Sequence, residues 1–385
     1  MNINTIQFPH ILENADLDNL HYFLSRTAFV ISHKSESVET LLGVLWYLPV
    51  DSPTIIVTNC PEREKDELAH VLKTKLAHHK QIYLVHQKDE ALAQLFEAYG
   101  VFRILGSDNR VIDGKGEGMY IGALCAYQLG YPRWIVFYDA DNFVPSALLE
   151  YTLAMSRLFM SDILPARFRA YDTLAVGSQA GMRSAPDLHN VRICWSSKPE
   201  LVDGNWDVRV MGRCTRVVSP LFNDLLEGWF GIRDHAISSS NAGEQGMTVK
   251  TALSLRFSSG FSVETLQLLD LLFHANERKG RAEGIILHQY LSKSPHFHEK
   301  KGDEHIKEMI EESLGSFFHY EAWLPDNVKC HLQRVYDELG LELVYPVLYP
   351  PLQALPLQRI EGMMDNYSLF AAPHQQGLLL VEQEG

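Results

Sequence analysis

The chain has 385 residues, 46% hydrophobic and 21% charged, enough for one elaborated domain or two. Its formal charge of −14 and pI near 5.6 argue against broad electrostatic binding to nucleic acid or an anionic membrane, though not against a local basic pocket for phosphate. The cysteines (Cys60, Cys125, Cys194, Cys214, Cys330) are scattered and never C-x-x-C. With no long apolar run and no basic, apolar leader after Met1, this implies free thiols, no membrane span and a cytoplasmic setting.

The first 140 or so residues alternate short apolar runs with amphipathic stretches. Ala28-Phe29-Val30-Ile31-Ser32, Thr54 to Thr58, Ile82 to His86 and Trp134 to Tyr138 read as strands. Helices are expected after Glu36, over about 61–78, from Glu90 to Tyr99 and over 116–129. Strands spaced by helices imply parallel βαβ units, whose ligands bind beyond the carboxyl ends of the strands. The second half is less regular. It offers a strand at Arg192-Ile193-Cys194-Trp195, helices over 243–254 and 263–274, a short strand at Ile285-Ile286-Leu287 and a helix over 303–318. The expectation is an α/β fold with a parallel, Rossmann-like sheet in residues 1–220 and a less regular, more helical part in 221–385, joined in one continuous unit.

The most informative motif is Asp139-Ala140-Asp141-Asn142, which follows the buried run Trp134 to Tyr138. Carboxylates where a buried strand ends are costly unless solvated, hydrogen-bonded or metal-bound, and this spacing suits Mg²⁺ or Mn²⁺ shared with phosphate. Asp113-Gly114-Lys115-Gly116-Glu117-Gly118 is not a P-loop, because position 109 is Asn and 116 is Gly; it reads as a glycine-flanked lysine opening a helix, suited to an anion. In Pro295-His296-Phe297-His298, the two histidines would share one side of an extended stretch and could complete a metal shell. Asn241 and Glu244 have capping-box spacing, and Glu244 could instead face the acceptor or the transferred group. Arg192, Lys198 and Arg213 are candidate clamps for a phosphate or carboxylate.

Together these segments resemble the mannosyl-3-phosphoglycerate synthase family, glycosyltransferase family 55. The matching stretches run in order through His86-Gln87-Lys88-Asp89, Gly114-Lys115-Gly116-Glu117-Gly118-Met119, Asp139-Ala140-Asp141-Asn142, Lys198-Pro199, Asn241-Ala242-Gly243-Glu244, Ser259-Gly260-Phe261-Ser262-Val263-Glu264, Pro295-His296-Phe297-His298-Glu299 and Tyr349-Pro350-Pro351-Leu352. The resemblance implies a GT-A fold and transfer of mannose from GDP-mannose to D-3-phosphoglycerate with retention, with Mg²⁺ or Mn²⁺ as cofactor. It implies Asp141 and His296 as metal ligands and Glu36, Lys88, Lys115, Asp139 and Ala140 on donor-binding positions, with Asp141 counted there too. Asp139, Asp141 and Glu244 would form the catalytic group, and Lys198, Arg213 and His298 would meet the acceptor. The oligomeric state stays open, a homodimer included.

The sequence departs from the family where a Pro-Thr pair is usual, having Ser32-His33, and where a basic residue is usual, having Ile112-Asp113. Those loops meet nucleotide and sugar, so the departures bear on donor preference more than on reaction class. The alternatives are another nucleotide-sugar donor or glycerate-type acceptor on the same scaffold, or a metal-dependent sugar nucleotidyltransferase.

Overall fold

The computed structural model describes residues 2–7, 17–163, 188–196, 200–202, 205–207, 211–234, 236–278, 284–298 and 302–370. Its frame is an eight-stranded sheet of β1 (Asn2–Gln7), β2 (Thr27–His33), β3 (Thr54–Thr58), β4 (Ile82–His86), β5 (Trp134–Asp139), β6 (Leu188–Ser196), β7 (Gln245–Thr248) and β8 (Ile285–Pro295). The spatial order is β1-β8-β6-β7-β5-β2-β3-β4. Every pairing is parallel except those of β7, which runs antiparallel between β5 and β6. All strands but β7 therefore point the same way, and Asp139 and His296 both come at carboxyl ends.

Residues alternate across the sheet. Phe29 and Ile31 of β2 enter one core with Leu41, Trp134, Tyr151 and Phe159. Ala28 and Val30 enter the other with Phe96, Tyr120 and Leu124. The first core lies under helices α1 (Leu17–Ser25), α2 (Val38–Leu45), α3 (Glu62–Lys75) and α6 (Ala147–Ile163). The second lies under α4 (Glu90–Ala98) and α5 (Lys115–Leu129). A third core is built by α7 (Arg213–Phe230), α9 (Ser262–Glu277), α10 (Asp303–Phe318) and α11 (Asp326–Leu339). No described helix is long and apolar enough to cross a membrane.

Helix α5 is buried on nearly every side because it is clamped between the sheet and the second half of the chain. Its glycines make that possible. A Cβ on Gly116 would lie 1.8 Å from Ser258 O, and one on Gly122 would lie 2.3 Å from Val30 Cγ1.

Two expectations need correction. The helix expected over 243–254 is strand β7 followed by the short helix α8 (Val249–Ser254). Pairing on both edges of β7 outweighs local helix preference. Asn241 consequently caps nothing, its amide instead donating to Thr265 Oγ1 and Ser313 Oγ. The strand at 285–287 runs on to Pro295, which delivers His296 directly to the sheet's carboxyl edge.

Candidate active site

A cavity of about 820 Å³ opens beyond the carboxyl ends of the strands, where an open α/β sheet binds its ligands. One end is lined by Ser32, His33, Glu36, Val57, Asn59 and Gln87, from the ends of β2, β3 and β4. The middle carries Lys115, Asp139, Ala140, Asp141, Glu264, His296 and His298. The far end carries Gly212, Arg213, Thr215 and Arg216 at the start of α7, with His305 and Met309 of α10.

The Asp139-Ala140-Asp141 turn and His296 are brought together from positions 155 or more residues apart, as their numbering shows. His296 Nε2 lies 3.9 Å from Asp141 Oδ1, and the Phe143 N–H donates to Phe297 O, tying the two loops by their backbones. The other imidazole nitrogen, Nδ1, lies 3.1 Å from Glu244 Oε1, and the ring stacks on Trp195 at 4.9 Å and 24°. Burial alone would lower the His296 pKa; the charge of Glu244, with Asp141 and Asp139 behind it, carries it up to about 9.

The two aspartates are polarised apart. Burial opposes ionisation of Asp139, and the Lys115 ammonium more than offsets it, so its pKa lies below the ordinary carboxylate range. Asp141 is raised by burial and by the charge of Asp139. A cation beside Asp141 would relieve that cost. The donor set suits one: a carboxylate oxygen and an imidazole nitrogen, close enough for one ion to contact both. Among the described residues no group of three or more His, Cys, Asp or Glu forms a closed cage, so substrate and water would complete the shell.

The expected donor residues are placed unequally. Lys115 faces the cavity, but its ammonium is held by Asp139 and, at 2.6 Å, by Glu264. Glu36 lines the cavity and accepts from the Lys34 N–H at 2.7 Å. Lys88 is not on the wall; its ammonium stands 3.5 Å from Asp113, which is. In the altered first loop, His33 Nδ1 meets Thr58 Oγ1 at 2.9 Å and Nε2 meets Glu36 O at 3.2 Å, fastening the loop that Glu36 closes. Burial keeps this imidazole's pKa below its usual value.

Glu244, expected to face the sugar or acceptor, is 1% exposed and does not line the cavity; it sits behind His296. Arg192 is not a phosphate clamp, being fully buried with its guanidinium donating to Ser239 O, Ser240 O, Glu264 O and Gln245 Oε1. His298 and Arg213 do line the cavity, and Arg213 pairs with Asp303 at 2.7 Å. Lys198 lies outside the described residues.

Sequence reading gave no role to Glu264, Thr215 or Arg216. Glu264 stood inside a matched motif. Gly-Arg-Cys-Thr-Arg at 212–216 could have been recognised as the start of a long amphipathic helix.

Residues 4–364 match the family described as Mannosyl-3-phosphoglycerate synthase (osmo_MPGsynth). Mannosyl-3-phosphoglycerate synthase of Pyrococcus furiosus is 30% identical over 325 residues, covering 80% of this chain and 76% of its own. That of Aeropyrum pernix is 30% identical over 357 residues, covering 89% and 85%. Among solved structures, glucosyl-3-phosphoglycerate synthase of Mycobacterium tuberculosis, in complex with Mn²⁺ and UDP-glucose, superposes with a TM-score of 0.52 at 15% identity, over 92% of this chain and 99% of that one. Mannosyl-3-phosphoglycerate synthase of Rubrobacter xylanophilus gives 0.50 at 15% identity, over 91% and 95%. These likenesses identify the fold as the GT-A-like α/β type. By sequence, the chain belongs to the mannosyl-3-phosphoglycerate synthase family.

Proposed function

We propose that this chain is a retaining glycosyltransferase that moves mannose from GDP-mannose to D-3-phosphoglycerate, giving mannosyl-3-phosphoglycerate. Family membership supports the reaction class. The observation that carries the reading is the convergence of Asp141 and His296 on one point of the cavity, with Lys115 on one side and the start of α7 beyond.

Asp141 and His296 would hold Mg²⁺ or Mn²⁺, which when bound supplies positive charge to a departing diphosphate. The chain's own residues do the rest. Glu36 and the β2–β4 ends hold the nucleoside. Lys115, kept charged by Asp139 and Glu264, adds a fixed ammonium beside the diphosphate. Arg213, Thr215 and Arg216, with the N–H groups of the first turn of an 18-residue helix, receive the carboxylate and phosphate of the acceptor. Held against the sugar, the glycerate hydroxyl attacks the face the diphosphate leaves, and a leaving phosphate oxygen takes its proton. The reaction then needs no enzymic base.

The test is a product assay with GDP-mannose, D-3-phosphoglycerate and Mg²⁺, with EDTA and GDP-glucose arms. Metal-dependent GDP release with a phosphorylated mannosyl-glycerate product supports the proposal. Release only with another donor moves the specificity to Ser32-His33 and Asp113. Pyrophosphate from a nucleoside triphosphate would instead indicate a nucleotidyltransferase.

A further inference from the structure

We infer that Glu244 is a positioning residue, which acts on the metal site through His296 and does not touch the sugar. The inference rests on the metal-dependent reading proposed above, and it replaces the sugar-facing role expected from sequence.

Three observations carry it. Glu244 is 1% exposed and absent from the cavity wall, so its carboxylate lies behind the wall and not on the substrate-facing surface. Its Oε1 lies 3.1 Å from His296 Nδ1, while the opposite ring nitrogen points to Asp141. That leaves Nε2 as the nitrogen facing the cavity, and a carboxylate behind Nδ1 favours the tautomer whose Nε2 lone pair is free to coordinate. The ring cannot easily turn away, because Trp195 stacks on its face. The third observation is a cost. Glu244 Oε2 is buried with no hydrogen-bond partner among the described residues, and His296 Nδ1 meets Oε1 at 3.1 Å as an ion-pair contact without hydrogen-bond alignment, an expensive state for a carboxylate. Its ion-pair contact is His296, so the carboxylate is best compensated when positive charge lies on or just beyond that ring.

The backbone fixes the arrangement. The Ile193 N–H donates to Glu244 O at 3.0 Å, and β7 begins at the next residue, so Glu244 is set by the antiparallel strand inserted between β5 and β6. Asp141 follows β5, the neighbour of β7 on one side, and His296 follows β8, which lies beyond β6 on the other. Strand β7 thus delivers the residue that orients a ligand supplied by β8.

The test measures Mn²⁺ uptake in the presence of GDP, from the electron paramagnetic resonance signal of the free ion. It compares the wild type with Glu244→Gln and Glu244→Leu. Thermal melting of each metal-free variant, with GDP affinity in EDTA, checks that the fold and nucleotide end are intact. The expected result is graded: about 10-fold weaker Mn²⁺ binding for Gln, which keeps a neutral acceptor, and about 100-fold for Leu, with metal-free GDP binding within twofold of wild type. Wild-type Mn²⁺ affinity in a folded Glu244→Gln protein overturns the inference and leaves the proposed reaction standing. If the leucine variant does not fold, the glutamine variant alone decides by the same criterion. Absence of Mn²⁺ uptake by the wild type would overturn the metal-dependent reading and this inference together.

Discussion

The Lys115 ammonium lies 2.6 Å from Glu264 Oε1, joining the first turn of α5 to the first turn of α9 across 149 residues. Asp139 holds the same ammonium from the other side, so a carboxylate, a cation and a second carboxylate link two helices to the end of β5. Side-chain exposures of 14% for Lys115 and 5% for Glu264 mean that water screens this pair little. Burial raises the Glu264 pKa, and the ammonium works against that rise. Removing the shared ammonium strands two carboxylates where solvent reaches them little, whereas removing Glu264 leaves Asp139 on the lysine. Lys115→Met is therefore expected to lower unfolding free energy by about 3–5 kcal/mol in urea titration, and Glu264→Leu by less. The double variant Lys115→Met with Glu264→Leu should lose less than the sum of the singles. Additive losses would show that the bridge couples nothing.

Much of this site could be read from the sequence because its parts follow strands. The Asp-x-Asp turn follows a five-residue apolar run, and that position needs no tertiary information. The parallel sheet was legible for the same reason. Glu244 was left between a cap and a cavity-facing role because capping-box spacing is a local signal, while β7 exists only through pairing with β5 and β6 on either edge. Arg192 was misread because a lone arginine in a strand carries no mark of burial. Its donors are taken by carbonyls 47 and more residues away. The pairing of Lys115 with Glu264 was out of reach, since it joins two helix starts whose separation in sequence says nothing of their contact.

Glu117 gives the fold a pH dependence. Its carboxyl is fully buried between the Tyr349 hydroxyl and the Gly260 N–H, both of which donate to it. Burial outweighs those bonds and pushes its pKa from 4.5 up to about 7. A folded-state pKa above the unfolded one means that the native state holds the proton more tightly. Stability from this group is therefore full below about pH 4.5 and is lost as pH rises to about 7. The loss amounts to roughly 3 kcal/mol by linkage. Glu117→Gln, which keeps the shape and cannot ionise, should flatten the stability profile over that window. Parallel profiles for wild type and variant, measured in urea from pH 4.5 to 8, would refute the assignment.

Arg213 tests the acceptor end separately from the donor end. It opens α7 on the cavity wall, with Thr215 and Arg216 on the same turn. If it clamps an acceptor anion, Arg213→Ala should raise KM for D-3-phosphoglycerate about 10- to 100-fold, the range for a lost charge-assisted contact. KM for GDP-mannose should stay within about twofold. Lysine at this position should recover only part of the loss, because it cannot pair in bidentate fashion. Equal effects on both KM values would place Arg213 outside the acceptor subsite.

Asp141 separates metal binding from folding. Its pKa is raised by burial and by Asp139, so the ionised carboxylate is a burden on the metal-free protein at neutral pH. Asp141→Asn should therefore melt no lower than wild type in EDTA, and higher if the burden is large. Asp141→Ala, which also discards the side chain's polar atoms, should keep a cooperative melt close to wild type. Addition of Mn²⁺ to the GDP-bound protein should raise the wild-type melting temperature above its value with GDP alone and leave both variants at their GDP-only values. Both variants should lose metal-dependent GDP release. A folded Asp141→Ala protein that still turned over GDP-mannose would remove this carboxylate from the reaction. A wild-type melt indifferent to Mn²⁺ would remove the metal.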